Sequence, residues 1–222
     1  LHATQDESGD AHRFTAELAR HCAEKLGVVF RYGLTVTGIQ GQGDRIHRVI
    51  AQAAGNEQKE DIKADIYVVS LGSYSPLHLA PLGVHLPIYP MKGYSITVPG
   101  NAFCPTMSIT DVSVKLVYSR LAGSLRVAGT AEFAGYNDAL NEKRIAPIVR
   151  EAKKLFPRAD WSGEIGQWAC LRPSTPDGPP IIGRSKQNSP DADLELVTDD
   201  DLALGGSDVA LAGGASDVLS SG

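Results

Sequence analysis

The period of the hydrophobic positions changes along the chain, and each change predicts an element. Residues 10–26 carry an apolar position at every fourth residue, as on one face of an amphipathic helix: Phe14, Leu18, Cys22 and Leu26. Asp10 would cap the start of this helix, and Gly27 would end it. The first element of the chain is therefore predicted to be a helix.

Short apolar runs follow this helix and predict strands. They cover residues 28–32, 34–39, 45–51 and 65–71. The last run is rich in β-branched residues, which is typical of a strand buried on both faces. A helix followed by buried strands favours an α/β layer.

The pattern changes near residue 77, where prolines begin to separate short strands with partly alternating polar and apolar residues. The predicted strands are residues 95–98, 107–109, 114–119 and 124–129. A second helix is predicted over residues 141–156, and Pro157 follows it. This arrangement indicates a mainly antiparallel sheet covered by one helix.

The fold class predicted from these patterns is α/β (α+β), with four segments. They are residues 1–75 with a helix and strands, 76–168 with an antiparallel sheet and one helix, 169–190 as a loop that carries Arg172, and 191–222 as an acidic Gly/Asp tail. A chain of 222 residues is long enough to bury a core in one domain or two small ones.

Composition narrows the possible functions. The net charge of −5 disfavours a nucleic-acid partner. Three widely spaced cysteines and six histidines form no metal-ligand spacing, so no metal site is expected and a reducing compartment fits best. The apolar runs are far shorter than the roughly 20 residues that span a bilayer.

The candidate chemistry begins at Arg172, which stands between an apolar run and a turn dense in proline and glycine. Such residues restrict the backbone, so a rigid loop would hold the guanidinium in place. A fixed guanidinium can grip a carboxylate with two parallel hydrogen bonds. The alternative is a surface arginine beside a stiff connector.

Four segments, in order, resemble one family. Residues 171–183 (LRPSTPDGPPIIG) resemble the corresponding segment of FAD-dependent amine and amino-acid oxidoreductases, and more narrowly of the D-amino-acid dehydrogenase branch. The same branch has segments that resemble three others of this chain: DESGD and FTAELA within residues 6–19, ADIYVVSLGSYS at 64–75, and PMKGYSITVP at 90–99. The resemblance covers roughly residues 5–190. It implies that residues 1–75 are a partial FAD-binding domain, that 76–168 are the substrate domain, and that 169–190 return to the FAD domain.

This resemblance implies FAD-dependent oxidation of a D-amino acid, in which a hydride passes to the flavin and the imino acid is hydrolysed to a 2-oxo acid and ammonia. Arg172 matches the family's carboxylate-binding arginine. The resemblance further implies a membrane-associated electron acceptor and a cytoplasmic location, peripheral at the inner face of the membrane. No catalytic base is assigned, because a neutral amine requires none.

The resemblance also suggests residues on the substrate side of the flavin. Lys92 would place a positive charge near the ring, Gly93 would allow close backbone approach, and Tyr94 would contact substrate. The alternatives are a solvated lysine for Lys92 and core packing for Tyr94. Trp168 is expected in the core.

Three further residues match the cofactor side. The strand around Val36 resembles the family strand that meets the adenine, and Gly72 and Ser73 lie where a turn would approach the dinucleotide. All three are equally explained as ordinary strand and turn residues.

Two departures weaken the flavin site. No Gly-x-Gly-x-x-Gly fingerprint stands in a strand–turn–helix context, since residues 38–43 have the wrong spacing and no following helix. Residues 198–202 read TDDDL where the family has a Thr-Gly-His-Gly-type turn. We therefore expect an incomplete fragment that neither holds FAD tightly nor turns over, and that self-associates through uncovered apolar faces.

Two other functions stay open at this point. One is a glycine- or sarcosine-oxidase-like amine oxidase, which would produce peroxide. The other is a non-catalytic interaction domain, which the missing fingerprint favours.

Overall fold

The computed structural model describes residues 9–42, 45–184 and 194–197. The chain divides into two compact units. Unit 1 comprises Leu1–Thr15 and Met91–Leu171, and unit 2 comprises Ala16–Pro90 and Arg172–Gly222. Residues 76–90, assigned from the sequence to the substrate domain, thus group with unit 2. The acidic tail predicted for 191–222 lies outside the described residues, apart from 194–197.

Unit 1 is built on a five-stranded sheet. Its strands, in spatial order, are β6 (Ile109–Asp111), β7 (Leu116–Leu121), β8 (Ser124–Phe133), β5 (Tyr89–Pro99) and β9 (Gly166–Ser174). The β6–β7, β7–β8 and β8–β5 pairs are antiparallel, as the alternating sequence pattern predicts. The prediction of an antiparallel sheet in this half is confirmed.

Helix α3 (Glu142–Leu155) covers one face of this sheet. Asn141 begins it, because its side chain accepts a hydrogen bond from the Lys143 backbone amide at 3.1 Å. Among the apolar positions of this helix, Ile145, Ile148 and Ala152 are buried, Val149 is partly buried and Leu155 is exposed. The core between helix and sheet is made of residues from both: Ile96, Val98, Tyr118, Leu125, Val127, Ile145, Ile148 and Ala152.

Unit 2 contains two three-stranded sheets and short helices. One sheet has the order β1 (Leu34–Gln42), β2 (Arg45–Ala53), β3 (Lys59–Ile62) and is antiparallel. The other has the order β10 (Ile182–Arg184), β11 (Leu194–Val197), β4 (Tyr67–Val69), with β11 parallel to β4. Two 3₁₀ turns, Gly72–Tyr74 and Ala80–Leu82, flank helix α2 (Ser75–Leu79). Val36, Val49, Tyr67, Val69, Leu79 and Val84 form the core.

Helix α1 (Ala11–Leu26) occupies the predicted range, and Asp10 caps it by accepting from the Arg13 amide at 3.1 Å. Its apolar stripe is not buried, however. Phe14 is 67% exposed, and Leu18 and Leu26 are also exposed. The periodicity predicted the helix correctly, but among the described residues these three apolar side chains stay exposed and only Cys22 of the stripe is partly buried.

Three local predictions are wrong. Residues 28–32 form no strand and are largely exposed. The Val28 amide donates to the Cys22 carbonyl of the preceding helix at 3.1 Å instead of pairing with a strand. Strand β3 (Lys59–Ile62) lies between the strands predicted at 45–51 and 65–71, where no strand was predicted. Trp168, expected in the core, is 41% exposed.

Candidate functional site

Arg172 lies near the end of strand β9, not in a loop as the sequence suggested, and its side chain is exposed. The proline-rich turn follows the strand. Thr175 Oγ1 donates to the Pro179 carbonyl at 2.9 Å, and Gly178 adopts a left-handed φ of 91° that favours glycine. The guanidinium is therefore carried by a strand whose end is closed by a braced turn.

Gly72 and Ser73 lie where β4 ends. Gly72 has a φ of 49°, which turns the chain into the 3₁₀ segment, and Tyr74 donates its amide to Leu71 at 2.9 Å. A Cβ at Gly72 would stand 3.7 Å from Cγ of Pro173. Within unit 2, the structure thus brings the β4 turn next to the residue that follows Arg172.

Val36 is buried in the unit 2 core beside Val49 and Val69. The β1–β2 register shifts between Val36 and Gly38, so the strand bulges at this point. Its side chain is committed to packing, and only its backbone could meet a cofactor, as the resemblance implied.

Lys92 and Tyr94 lie on β5 in unit 1, both only 2% exposed. The Lys92 ammonium donates to the Ala139 carbonyl at 2.8 Å and stands 3.5 Å from the Glu132 carboxylate. The Tyr94 hydroxyl donates to the same carboxylate. The alternative of a solvated Lys92 is wrong, and core packing is what the structure shows for Tyr94.

Glu132 is the centre of this network. Asn141 Nδ2 donates to it at 3.3 Å, and Arg144 Nε stands 3.7 Å away. The hydrogen bond from Tyr94 holds the pKa of Glu132 below its ordinary value, and the Lys92 charge adds to the effect. The network ties β5 and β8 to the start of α3.

The same contacts act on the other two groups. Burial by itself would lower the pKa of Lys92, but the Tyr94 hydroxyl and the Glu132 charge together raise it. Burial raises the pKa of Tyr94, and the hydrogen bond to Glu132 raises it further. Lys92 therefore stays charged, and Tyr94 stays a neutral hydrogen-bond donor, around neutral pH.

A β-bulge explains why Glu132 joins the two β5 side chains. Gly93 pairs with Ala131 but Tyr94 pairs with Gly129, so Thr130 is an extra residue, with a φ of 57°. The extra residue shifts the alternation of β8 by one position. Sequence reasoning missed Glu132 because a bulge of this kind leaves no clear signal in the residue pattern.

The opposite face of the unit 1 sheet carries a solvent-open cavity of about 290 Å³. Arg126 lines it, and its guanidinium stands 5.1 Å from the centre of the Trp168 ring. The other lining residues are Gly9, Ser108, Val117, Ser119, Leu121 and Ala128. No residue pattern singles out Arg126, because the residues around it come from other strands.

The fit of a flavin dinucleotide can be tested on the described residues. They include one strand–turn–helix with a glycine, at β4, Gly72 and α2, but α2 has five residues and a proline at its start. Lys92, the proposed charge beside the ring, is directed at Glu132 and Ala139. The part of the chain that the structure describes therefore lacks a pyrophosphate cradle.

Two other observations concern this same described part of the chain. It holds no group of three or more His, Cys, Asp or Glu residues placed to bind a metal ion. None of its helices is both long and apolar enough to cross a membrane.

Comparison with known proteins identifies the class of protein. The model of the FAD dependent oxidoreductase family matches residues 1–220, and the chain belongs to that family. Two of its relatives are D-amino acid dehydrogenases. The protein of Dechloromonas aromatica (strain RCB) is 50% identical over 183 residues, and that of Chromohalobacter salexigens is 42% identical over 191. These matches cover 82% and 85% of this chain, but 43% and 44% of the relatives.

Solved structures agree on the fold. Iminodiacetate oxidase from Chelativorans sp. BNC1 is 20% identical with a TM-score of 0.65, over 84% of this chain and 48% of that one. Glycine oxidase from Bacillus cereus is 20% identical with a TM-score of 0.57, over 74% and 43%. The mixed fold predicted from the sequence is confirmed, and the chain spans less than half the length of the curated relatives it matches.

Proposed function

We propose that the whole protein oxidises D-amino acids to 2-oxo acids and ammonia, with FAD taking the hydride, and that this chain supplies the substrate-binding part. The observation that carries the proposal is the 42–50% identity to D-amino acid dehydrogenases over more than four fifths of the chain. The family model supports the cofactor. Because the chain spans less than half the length of these relatives, we expect it to show no turnover by itself.

Arg172 would bind the substrate carboxylate. A planar guanidinium presents two parallel donors, so it fixes both the position and the orientation of a carboxylate. The strand position and the turn braced by Thr175 limit its backbone freedom. A fixed carboxylate also fixes the position of the substrate Cα, so the hydride that leaves this carbon can be held close to its acceptor.

The resemblance also carries two proposals about the setting of the reaction. Electrons would pass to a membrane-associated acceptor, and the protein would be cytoplasmic, peripheral at the inner face of the membrane. A peroxide assay tests the electron acceptor, because an oxidase passes electrons to oxygen and produces peroxide. Fractionation into soluble and membrane-bound protein measures the second.

The experiment uses the whole protein with an artificial electron acceptor. We expect dye reduction with D-alanine but not L-alanine, and no peroxide. Arg172→Lys keeps the positive charge but cannot donate two parallel hydrogen bonds to the carboxylate. We therefore expect kcat/KM for the D-amino acid to fall by about 100-fold or more, which corresponds to about 2.8 kcal/mol of transition-state stabilisation at about 1.4 kcal/mol per tenfold. Arg184→Lys, an exposed arginine of β10, is the matched control and should be near wild type.

The outcomes separate the alternatives. Peroxide with glycine or sarcosine would replace the proposal by an amine oxidase. Absence of any flavin reduction by amines in the whole protein would favour a non-catalytic interaction domain. Unchanged kcat/KM in Arg172→Lys would remove Arg172 from the substrate site.

A further inference from the structure

Helix α3 and the turn that follows it are positively charged, although the chain as a whole is negative. Residues 142–158 hold six basic residues and two acidic ones, whereas the whole chain has a net charge of −5. All six basic side chains are exposed: Lys143, Arg144, Arg150, Lys153, Lys154 and Arg158. Charge concentrated in this way on one surface attracts a partner of the opposite sign.

The basic residues of α3 lie mainly on the side of the helix that faces away from the sheet. Lys143, Arg150 and Lys154 are spaced by seven and four residues, so they follow one line along the helix, opposite the buried Ile148. The Arg150 and Lys154 side chains are 62% and 65% exposed, and both contact Glu151, at 2.9 and 3.0 Å. One carboxylate cannot balance two cations, so this line of residues keeps a positive charge.

Apolar side chains are exposed beside the basic ones at the C-terminal end of α3. Leu155, the last residue of the helix, is exposed, and so is Phe103 in a neighbouring loop. The Arg158 guanidinium lies 3.9 Å from the centre of the Phe103 ring, and the Lys153 ammonium lies 5.5 Å from the centre of the Trp161 ring. Basic heads above apolar groups are typical of surfaces that lie in a lipid–water interface.

The combination of positive charge and exposed apolar groups narrows the kind of partner. Duplex nucleic acid is bound mainly through its phosphates, and the negative charge of the whole chain disfavours it. An anionic bilayer presents negative headgroups and, directly beneath them, an apolar layer. Clusters of four or more basic residues on an amphipathic helix are typical of binding to anionic lipids.

We propose that the C-terminal half of α3 and the turn after it form the surface through which unit 1 binds an anionic membrane. Leu155 and Phe103 enter the headgroup layer, and four basic residues contact the lipid phosphates: Arg150, Lys153, Lys154 and Arg158. This proposal rests on the peripheral membrane location within the proposed function, and it adds the surface and the lipid charge. All these residues belong to unit 1.

The test is flotation of the purified chain with vesicles of phosphatidylcholine alone, or of phosphatidylcholine mixed with an equal amount of phosphatidylglycerol. Flotation separates bound chain from aggregated chain, because aggregates sink. We expect binding only to the anionic vesicles, and we expect added salt to reduce it, because salt screens surface charge. Lys153→Gln combined with Arg158→Gln should weaken this binding by about tenfold or more.

The matched control is Lys25→Gln combined with Lys63→Gln, which removes the same charge from exposed positions of unit 2 and should bind vesicles like the wild type. Melting shows whether each variant is folded. If the Lys153 and Arg158 pair of substitutions lowers the melting temperature, Lys154→Gln is compared with Lys63→Gln instead, and it should weaken binding several-fold.

The proposal is overturned if the chain floats equally with both kinds of vesicle, or if the two double variants weaken binding equally. It is also overturned if duplex DNA displaces the anionic vesicles at equal phosphate concentration, because the surface would then bind nucleic acid. Dye reduction by the whole protein is measured without vesicles, so loss of the membrane surface and loss of the proposed oxidation are distinguished.

Discussion

Replacing Lys92 by methionine separates a structural role for this residue from a solvated one. Methionine has a similar volume, so the substitution leaves little cavity and removes mainly the charge. It loses the 2.8 Å hydrogen bond to the Ala139 carbonyl and the contact with Glu132 at 3.5 Å. A hydrogen bond from a charged group contributes about 1.5–3 kcal/mol when its partner stays buried. We therefore expect Lys92→Met to lower the free energy of unfolding by about 1.5–3 kcal/mol.

The assay is urea unfolding followed by circular dichroism, with Lys63→Met as the matched control. Lys63 is exposed in unit 2, so its replacement should change the free energy of unfolding by less than about 0.5 kcal/mol. Equal changes in the free energy of unfolding for the two substitutions would show that the buried contacts of Lys92 do not stabilise the fold.

Three further predictions follow from the same structure. The pKa of Glu132 is lower in the folded chain than its ordinary value of 4.5, so the unfolded chain binds more protons near that pH. The free energy of unfolding should therefore fall as the pH drops below that value. Glu132→Gln should reduce this dependence of the free energy of unfolding on acidic pH. Ile148 is fully buried under the sheet, and Ile148→Ala should cost about 2–5 kcal/mol in urea unfolding, whereas a cost below about 1 kcal/mol would contradict the packing of α3. The exposed stripe of α1 should drive self-association, so sedimentation should show species larger than a monomer, shifted toward monomer by Leu18→Ser; a monodisperse monomer of the wild-type chain would exclude this.

Residue periodicity predicted the regular elements well where one face of the element is buried locally. The α3 stripe is an example, because Ile145, Ile148 and Ala152 all meet the sheet of their own unit. The α1 stripe had the same period and predicted the helix, but not the exposure of Phe14. The period of the apolar residues indicates whether an element is a helix or a strand, whereas the burial of those residues depends on which elements pack against them.

The site was predicted less well, for two physical reasons. Lys92 and Glu132 are 40 residues apart, and they meet because an extra residue at Thr130 shifts the register of β8. Arg126 and Trp168 come together from two different strands, and no local pattern marks either. Arg172 was found because its proline-rich neighbours form a motif, although the structure places it on a strand.

Titration of the purified chain with FAD shows whether this chain carries the substrate side of a flavoenzyme without the nucleotide cradle. Flavin fluorescence and the melting temperature are followed together. We expect no saturable binding and no rise in melting temperature. Saturable binding with a Kd of about 1 µM, accompanied by a higher melting temperature, would contradict it, because a ligand that binds only the folded chain must stabilise it.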